Sequence, residues 1–313
     1  MDSPDTTGAH AARRAAFIIT SHTDVTLLER LVRILLSEPD LHVYISHDTA
    51  GEPGVERLAG ERCHVVSERG GRGDFTQIER VLRLLRRVES DGGADYVTLL
   101  SGQDYPARPV SDFVDAAYDA GDGFLHHFRA LEPTGDWSLH EARQRYLYRW
   151  RIFWPVSPRA QRRWHWVHGL NYLQPLLRFN LSYGTFRVGR YHGRLPEGIT
   201  CYGGSSWFTL SRRAVQYVLG VAQDRHDVME WGRTSLAPDE AFLQSILVSA
   251  GRFRFVNDNG RYIDFADDGF GHPRVLDESD LDRVLDSGAF FVRKVERDRS
   301  ATLLDLLDAR AQQ

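Results

Sequence analysis

Short apolar runs alternate with leucine-rich helical repeats through residues 15–100, and few architectures accept that order. Residues 15–20 (Ala-Ala-Phe-Ile-Ile-Thr) form an apolar strand pattern. Over 24–36, Leu27, Leu28, Leu31 and Leu35 recur at helical spacing behind Asp24, a good N-cap residue. Residues 41–46 and 63–67 read as further strands, 74–88 as a second amphipathic helix, and 95–100 as another buried strand. This β-α-β-β-α-β order predicts an α/β fold with a mainly parallel sheet flanked by helices. Ligands bind such sheets outside the carboxyl ends of the strands. The loops after Thr20, Ser46, Ser67 and Leu100 are therefore the ones to watch.

The alternation breaks in the middle of the chain. Five of the seven tryptophans (Trp137, Trp150, Trp154, Trp164, Trp166) fall between Trp137 and Tyr191, mixed with arginines such as Arg143, Arg149 and Arg162. Packed aromatics and solvated arginines predict a helical insertion at about 131–195. The same residues would suit an acceptor-binding wall, since aromatic faces stack on sugars and arginines pair with anions. If the aromatics formed an exposed patch, it would offer a membrane-surface or dimer contact. Beyond it the α/β pattern resumes: strand 205–210, helices 212–223 and 239–249, strands 253–256 and 261–265, a helix at 278–285, the strand holding Lys294, and a terminal helix at 301–310. No linker divides the chain, so 15–313 reads as one domain with an insertion, after a small, polar tail at 1–14 that lacks the apolar stretch of a secretory signal.

A net charge of −4 argues against nucleic acid as partner. Cys63 and Cys201 are too few for a disulfide framework or a cysteine metal site, which fits a reducing compartment. No apolar run approaches a transmembrane span. A cytoplasmic protein is expected, peripheral to a membrane at most.

Three places can carry chemistry. Lys294 is the only lysine among 39 basic residues, and it ends the strand-like run Phe290-Phe291-Val292-Arg293-Lys294. A compact ammonium surviving such a bias toward arginine suits a single contact to phosphate or carboxylate. In Pro238-Asp239-Glu240 the proline and acids suit a helix start, whose dipole would keep a cleft-facing carboxylate ionised as a general base. Ser101-Gly102-Gln103-Asp104-Tyr105-Pro106 follows a buried strand directly. There glycine permits close backbone approach, and Asp104 could bond a sugar hydroxyl. Metal ligands are not evident. Asp280 and Asp282 lie in a helical pattern, adjacent His126 and His127 would point to opposite faces, and Asp267 with Asp268 reads as a turn. Gly70-Gly71-Arg72-Gly73-Asp74 matches neither a P-loop nor a dinucleotide fingerprint.

Taken in order, these segments resemble the core-2/I-branching β-1,6-N-acetylglucosaminyltransferase family, which includes the protein O-xylosyltransferases. The resemblance rests on Ser21-His22, Ile45-Ser46-His47-Asp48, Leu100 to Pro106, Gly203-Gly204-Ser205-Ser206-Trp207-Phe208, Pro238-Asp239-Glu240, Arg261-Tyr262-Ile263-Asp264-Phe265, His272-Pro273 and Phe291-Val292-Arg293-Lys294. The Trp/Arg insertion matches poorly.

The resemblance implies a GT-A type, Rossmann-like nucleotide-sugar fold. It also implies an inverting, metal-independent transfer from a UDP-sugar, UDP-GlcNAc or else UDP-xylose, to a hydroxyl on a glycan, peptide or small metabolite. By the same analogy Glu240 is the general base, and Lys294, with Arg261 or Arg274, neutralises the leaving diphosphate. His22 and Asp48 contact uridine, Ser101, Gly102 and Asp104 lie at the donor, and Trp207 and Asp239 line the sugar site. Arg293 is expected to point away, because strand neighbours alternate faces. The absence of disulfides suggests a bacterial relative. A catalytically inactive nucleotide-sugar-binding protein on the same fold is the competing reading.

Overall fold

A computed structural model of the chain describes residues 13–71, 73–133, 136–173, 175–265 and 273–311. The first half follows the pattern: β1 (Ala15–Ser21), α1 (Val25–Leu35), β2 (Leu41–Asp48), β3 (Cys63–Glu68), α2 (Thr76–Ser90) and β4 (Tyr96–Ser101). β1 pairs in parallel with both β2 and β4, and β3 joins β2 on the outer side. Asp24 caps α1 as expected, accepting the Leu27 N–H at 3.0 Å. The leucines at 27, 28, 31 and 35 are buried, each contributing about 1.5–3 kcal/mol.

β5 (Asp104–Pro106), α3 (Val110–Asp119), β6 (Gly123–Leu125) and β7 (Phe128–Arg129) lead to the insertion. The insertion comprises α4 (Leu139–Tyr146), β8 (Tyr148–Pro155), α5 (Pro158–Arg163), β9 (Leu177–Asn180) and β10 (Thr185–Tyr191). After it come β11 (Tyr202–Gly203), β12 (Phe208–Ser211), α6 (Arg212–Asp224), α7 (His226–Thr234), α8 (Phe242–Ser249), β13 (Arg261–Ile263), α9 (Leu281–Asp286), β14 (Phe291–Arg293) and α10 (Ala301–Ala311). The central sheet has the order β3-β2-β1-β4-β12-β6, with β12 antiparallel to both its neighbours.

Side chains of β1 alternate between two cores, Ile18 joining one and Phe17 and Ile19 the other. A parallel strand covered on both faces must do this, hence its unbroken apolar run. One core includes Phe75, Phe242 and residues of α2, α6 and α8; the other includes Phe113, Phe291 and residues of α1, α3 and α10.

Several elements differ from expectation. The insertion is not wholly helical: β8, β10 and β9 form a three-stranded antiparallel sheet beside short helices. Period-two stretches such as Tyr148-Arg149-Trp150 found cross-strand partners that local propensity cannot reveal. The helix expected at 239–249 is broken. Pro238–Glu240 is a single 3-10 turn after Ala237 at φ 48°, and Ala241 leaves helical geometry before α8. Residues 253–256 form no strand, contributing only a bridge from Val256 to Phe124. The strand expected at 205–210 is confined to β12, that at 261–265 to β13, and 278–285 opens with a 3-10 turn before α9.

Candidate active site

The loops leaving β1, β2 and β4 meet at the carboxyl edge of the parallel strands. Glu52 N–H donates to the His22 carbonyl at 3.0 Å, tying the β2 loop to the β1 loop. Gly102 faces Ser21 so closely that an added Cβ would lie 3.2 Å from the Ser21 Cβ. His22 is exposed at this mouth. Asp48 lies within its electrostatic reach. Burial alone would raise the Asp48 carboxyl, but hydrogen bonds from the Ala50 and Gly70 backbone, with Arg80 and His22 nearby, hold it below the usual range. Beneath the mouth two buried residues draw the strand ends together. Arg80 donates from Nε to Ser46 Oγ at 2.6 Å and also reaches the Ser46 and Ser21 carbonyls. His47 bridges Ser21 Oγ and the Glu52 carbonyl at 2.8 and 2.7 Å. Neither was singled out for a role in the sequence. An arginine inside an amphipathic helix repeat gives no sign that it will be buried.

Beyond β4, the chain turns at Ser101-Gly102-Gln103 into β5, which pairs antiparallel with β14, setting Arg293 opposite Asp104. This register sets which basic residue meets Ser101, Asp104 and Trp207. Contrary to expectation, Arg293 turns inward: its guanidinium bonds Ser101 Oγ, lies 3.5 Å from Asp104 Oδ1, and stacks 4.7 Å from the Trp207 ring centroid. It shares a strand face with Phe291, and Arg261 covers both Phe291 and Trp207 at 5.4 and 5.1 Å. Lys294 follows the end of β14 and pairs with Glu296 at 2.8 Å.

Arg261 donates to the Asn259 and Leu99 carbonyls, its Nε is buried without a hydrogen bond, and burial draws its guanidinium down to about 10. Asp104 is fully buried, and its oxygens accept from the Ser101 N–H and face Arg293, so it supports the loop from beneath. Arg274 is clamped by Asp264 at 2.9 Å and by buried Asp280. Arg261, not Arg274, joins Arg293 in the aromatic–cation cluster around Trp207. His272, Asp267 and Asp268 lie outside the described residues.

The segment 203–207 connects this cluster to Glu240. Gly204 N–H donates to the Glu240 carbonyl at 2.9 Å, Ser206 Oγ donates to Asp239 at 2.9 Å, and Asn259 Nδ2 donates to Ser205 Oγ at 3.1 Å. Glu240 Oε2 accepts from Arg145, which also pairs with Glu141 and lies 4.9 Å over the Trp137 ring. Oε1 makes no hydrogen bond among the described residues. Burial pushes the Glu240 carboxyl up to about 7 against the pull of Arg145, with neighbouring Asp239 adding to the rise; burial raises Asp239 too. Where the sequence pattern suggested a dipole-stabilised, ionised carboxylate, one 3-10 turn supplies little dipole and desolvation dominates.

A cleft of about 270 Å³ opens between the base of the insertion and α7, lined by residues including Tyr146, Arg149, His192 and Trp231. Glu240, Trp207, Arg261 and Arg293 are not in its lining. The contacts above, not the volume of that cleft, define the candidate site. Among the described residues no group of three or more His, Cys, Asp or Glu is placed to hold a metal ion.

A mainly parallel sheet with loops converging at its carboxyl edge, next to a half-buried carboxyl and stacked cations, is an arrangement of nucleotide-sugar enzymes of the GT-A type. Residues 15–284 match the family described as Core-2/I-Branching enzyme, and the chain belongs to that family of glycosyltransferases. It is similar to the Arabidopsis thaliana β-glucuronosyltransferases GlcAT14A, at 25% identity over 273 residues, and GlcAT14B, at 29% over 281. Those matches cover 86% and 87% of this chain but 54% and 57% of the relatives, so the chain spans about half the length of the curated relatives it matches. Solved structures resemble it distantly. An active-site mutant of LgtC has a TM-score of 0.41 at 9% identity, covering 95% of both chains. The apo-form glycosyltransferase GlyE of Streptococcus pneumoniae TIGR4 scores 0.36 at 12% identity, over 96% of this chain and 60% of that one. No helix among the described residues is long and apolar enough to cross a membrane.

Proposed function

We propose that the chain transfers a sugar from a UDP-sugar to an acceptor hydroxyl with inversion, using Glu240 as general base. The observation that carries this reading is a half-buried carboxyl with one uncommitted oxygen and a pKa near 7, one short segment away from the stacked Arg261–Trp207–Arg293 cluster. A base tuned near the working pH is half-deprotonated yet still basic enough to accept a proton. The acceptor oxygen attacks the anomeric carbon as its proton passes to Glu240. The bond from that carbon to the phosphate oxygen breaks, and UDP departs with the electron pair. Arg261, Arg293 and Lys294 neutralise the departing diphosphate, so the reaction runs without a divalent metal. His22 and Asp48 bind the uridine end, and Trp207 and Asp239 border the sugar.

For the donor, the relatives' names favour UDP-glucuronic acid over the UDP-GlcNAc and UDP-xylose that the sequence resemblance suggested. Donor hydrolysis with each of the three, with EDTA throughout, separates these readings. The expected rate rises with pH through about 7 and falls by about 100-fold or more in Glu240→Gln. UDP release that needs an added divalent ion would remove the cationic account of the leaving group. A variant as active as wild type would remove Glu240 from the chemistry.

A further inference from the structure

The outer end of the insertion is an exposed apolar and cationic lobe to which the transferase reading assigns no role. Nine of the thirteen exposed large apolar side chains among the described residues fall between Ile152 and Tyr191. Trp166 is 66% exposed, Leu176 64%, Phe153 55% and Trp154 47%. Both faces of β8 are exposed from Arg151 to Pro155, so the end of the strand stands clear of the body. α5 buries no residue at all. Scattered exposed apolar residues are ordinary, but a concentration of them marks a contact surface.

The charge is as uneven as the hydrophobicity. Residues 142–196 contain eleven arginines and no aspartate or glutamate, whereas the rest of the chain holds 28 basic against 43 acidic residues. Arg145 and Arg187 are used inward, and Arg149 pairs with Glu230. Arg151, Arg159, Arg162 and Arg163 are exposed and make no ion pair among the described residues. They are interleaved with Phe153, Trp154, Trp164 and Trp166 in sequence and share that end of the lobe.

We infer that this lobe docks on an anionic lipid bilayer. Indole rings settle at the headgroup level, aliphatic side chains enter the acyl boundary, and arginines meet lipid phosphates. A nucleic acid would satisfy the arginines and stack on the indoles, yet it offers nothing to Ile152, Leu173 or Leu176. A second copy of the same lobe would oppose arginine to arginine with no acid to pair them. The acidic remainder of the molecule does not prevent docking, because charges beyond about 8 Å are largely screened at physiological salt.

The test is sedimentation of the full chain with vesicles of phosphatidylcholine alone or mixed with phosphatidylglycerol, with no sugar donor present, so that binding is read apart from catalysis. The expected result is binding to the anionic vesicles, weakened by salt, with a blue shift in tryptophan fluorescence. Arg162→Glu combined with Arg163→Glu should lower affinity at least about 30-fold, from about 1 kcal/mol per cation. Trp166→Ser combined with Leu173→Ser should weaken binding while leaving the thermal melt unchanged, since both side chains are exposed. Equal binding to neutral and anionic vesicles, or none to either at low salt, overturns the proposal. So does tighter binding to an oligonucleotide than to vesicles, or concentration-dependent self-association without vesicle binding.

Discussion

Arg293 and Lys294 are neighbours in sequence that make quite different contacts. The ammonium reaches Glu296, while the guanidinium next to it fills the space between Ser101, Asp104 and Trp207. Arg293→Ala is therefore expected to weaken UDP binding, measured by calorimetry, more than Lys294→Ala does. Loss of a hydrogen bond to a charged group costs about 1.5–3 kcal/mol, on the order of 10- to 100-fold in affinity. Equal losses would mean that Lys294 leaves Glu296 when the nucleotide binds. Glu240 gives a second test. Its folded pKa lies above the ordinary value of 4.5. Between 4.5 and about 7 the folded state thus holds more protons than the unfolded one, and Glu240's contribution to stability is lost as pH rises through that window. Glu240→Gln should abolish this slope and melt higher than wild type at pH 8 but not at pH 5. A lower melting temperature at pH 8 would show that the Arg145 pair outweighs burial.

At the scale of elements, the segment from Gly203 to Trp207 joins the base to the cations. Gly204 matters there because an added Cβ would sit 2.0 Å from the His126 carbonyl oxygen, a backbone atom with little freedom to retreat. Gly204→Ala is expected to displace both Glu240 and Trp207, reducing turnover by at least about 10-fold along with stability, since clashes in packed interiors typically cost about 1–3 kcal/mol. Assay and melting temperature together would check it. Unchanged turnover would mean that the segment shifts as a unit. β5 and β14 belong to the same scale. Each has three residues, too short for a periodic signal, and each exists because the other lies across from it. The same dependence on distant partners made β8, β9 and β10 read as helix and split the run 239–249 into a turn and α8.

Across the whole molecule, the insertion completes the site instead of merely decorating it. It brings Arg145 to Glu240. It also carries Arg187, almost fully buried, which bonds the Gly73 carbonyl and Thr185 Oγ1 and lies 5.2 Å over the Tyr183 ring. Arg187→Ala should loosen the insertion from the body at a cost of about 1.5–3 kcal/mol per lost charged hydrogen bond. Limited proteolysis would then cut within 151–178 while the central sheet survives. Global unfolding without a protected core would show that the two parts fold as one cooperative unit. The order of β1 to β4, the cap at Asp24 and the two-sided burial of the parallel strands were legible in the chain, because each follows from spacing within a few residues. Glu240, Trp207 and Arg261 could be named from motifs that keep their order along the chain. What only the tertiary structure decided was which face of β14 meets Trp207, that Asp104 lies beneath its loop, that Arg274 is held by Asp264 and Asp280, and that Arg145 reaches Glu240. Those outcomes depend on pairings between residues as much as 192 positions apart, and periodicity along a chain carries no information about such pairings.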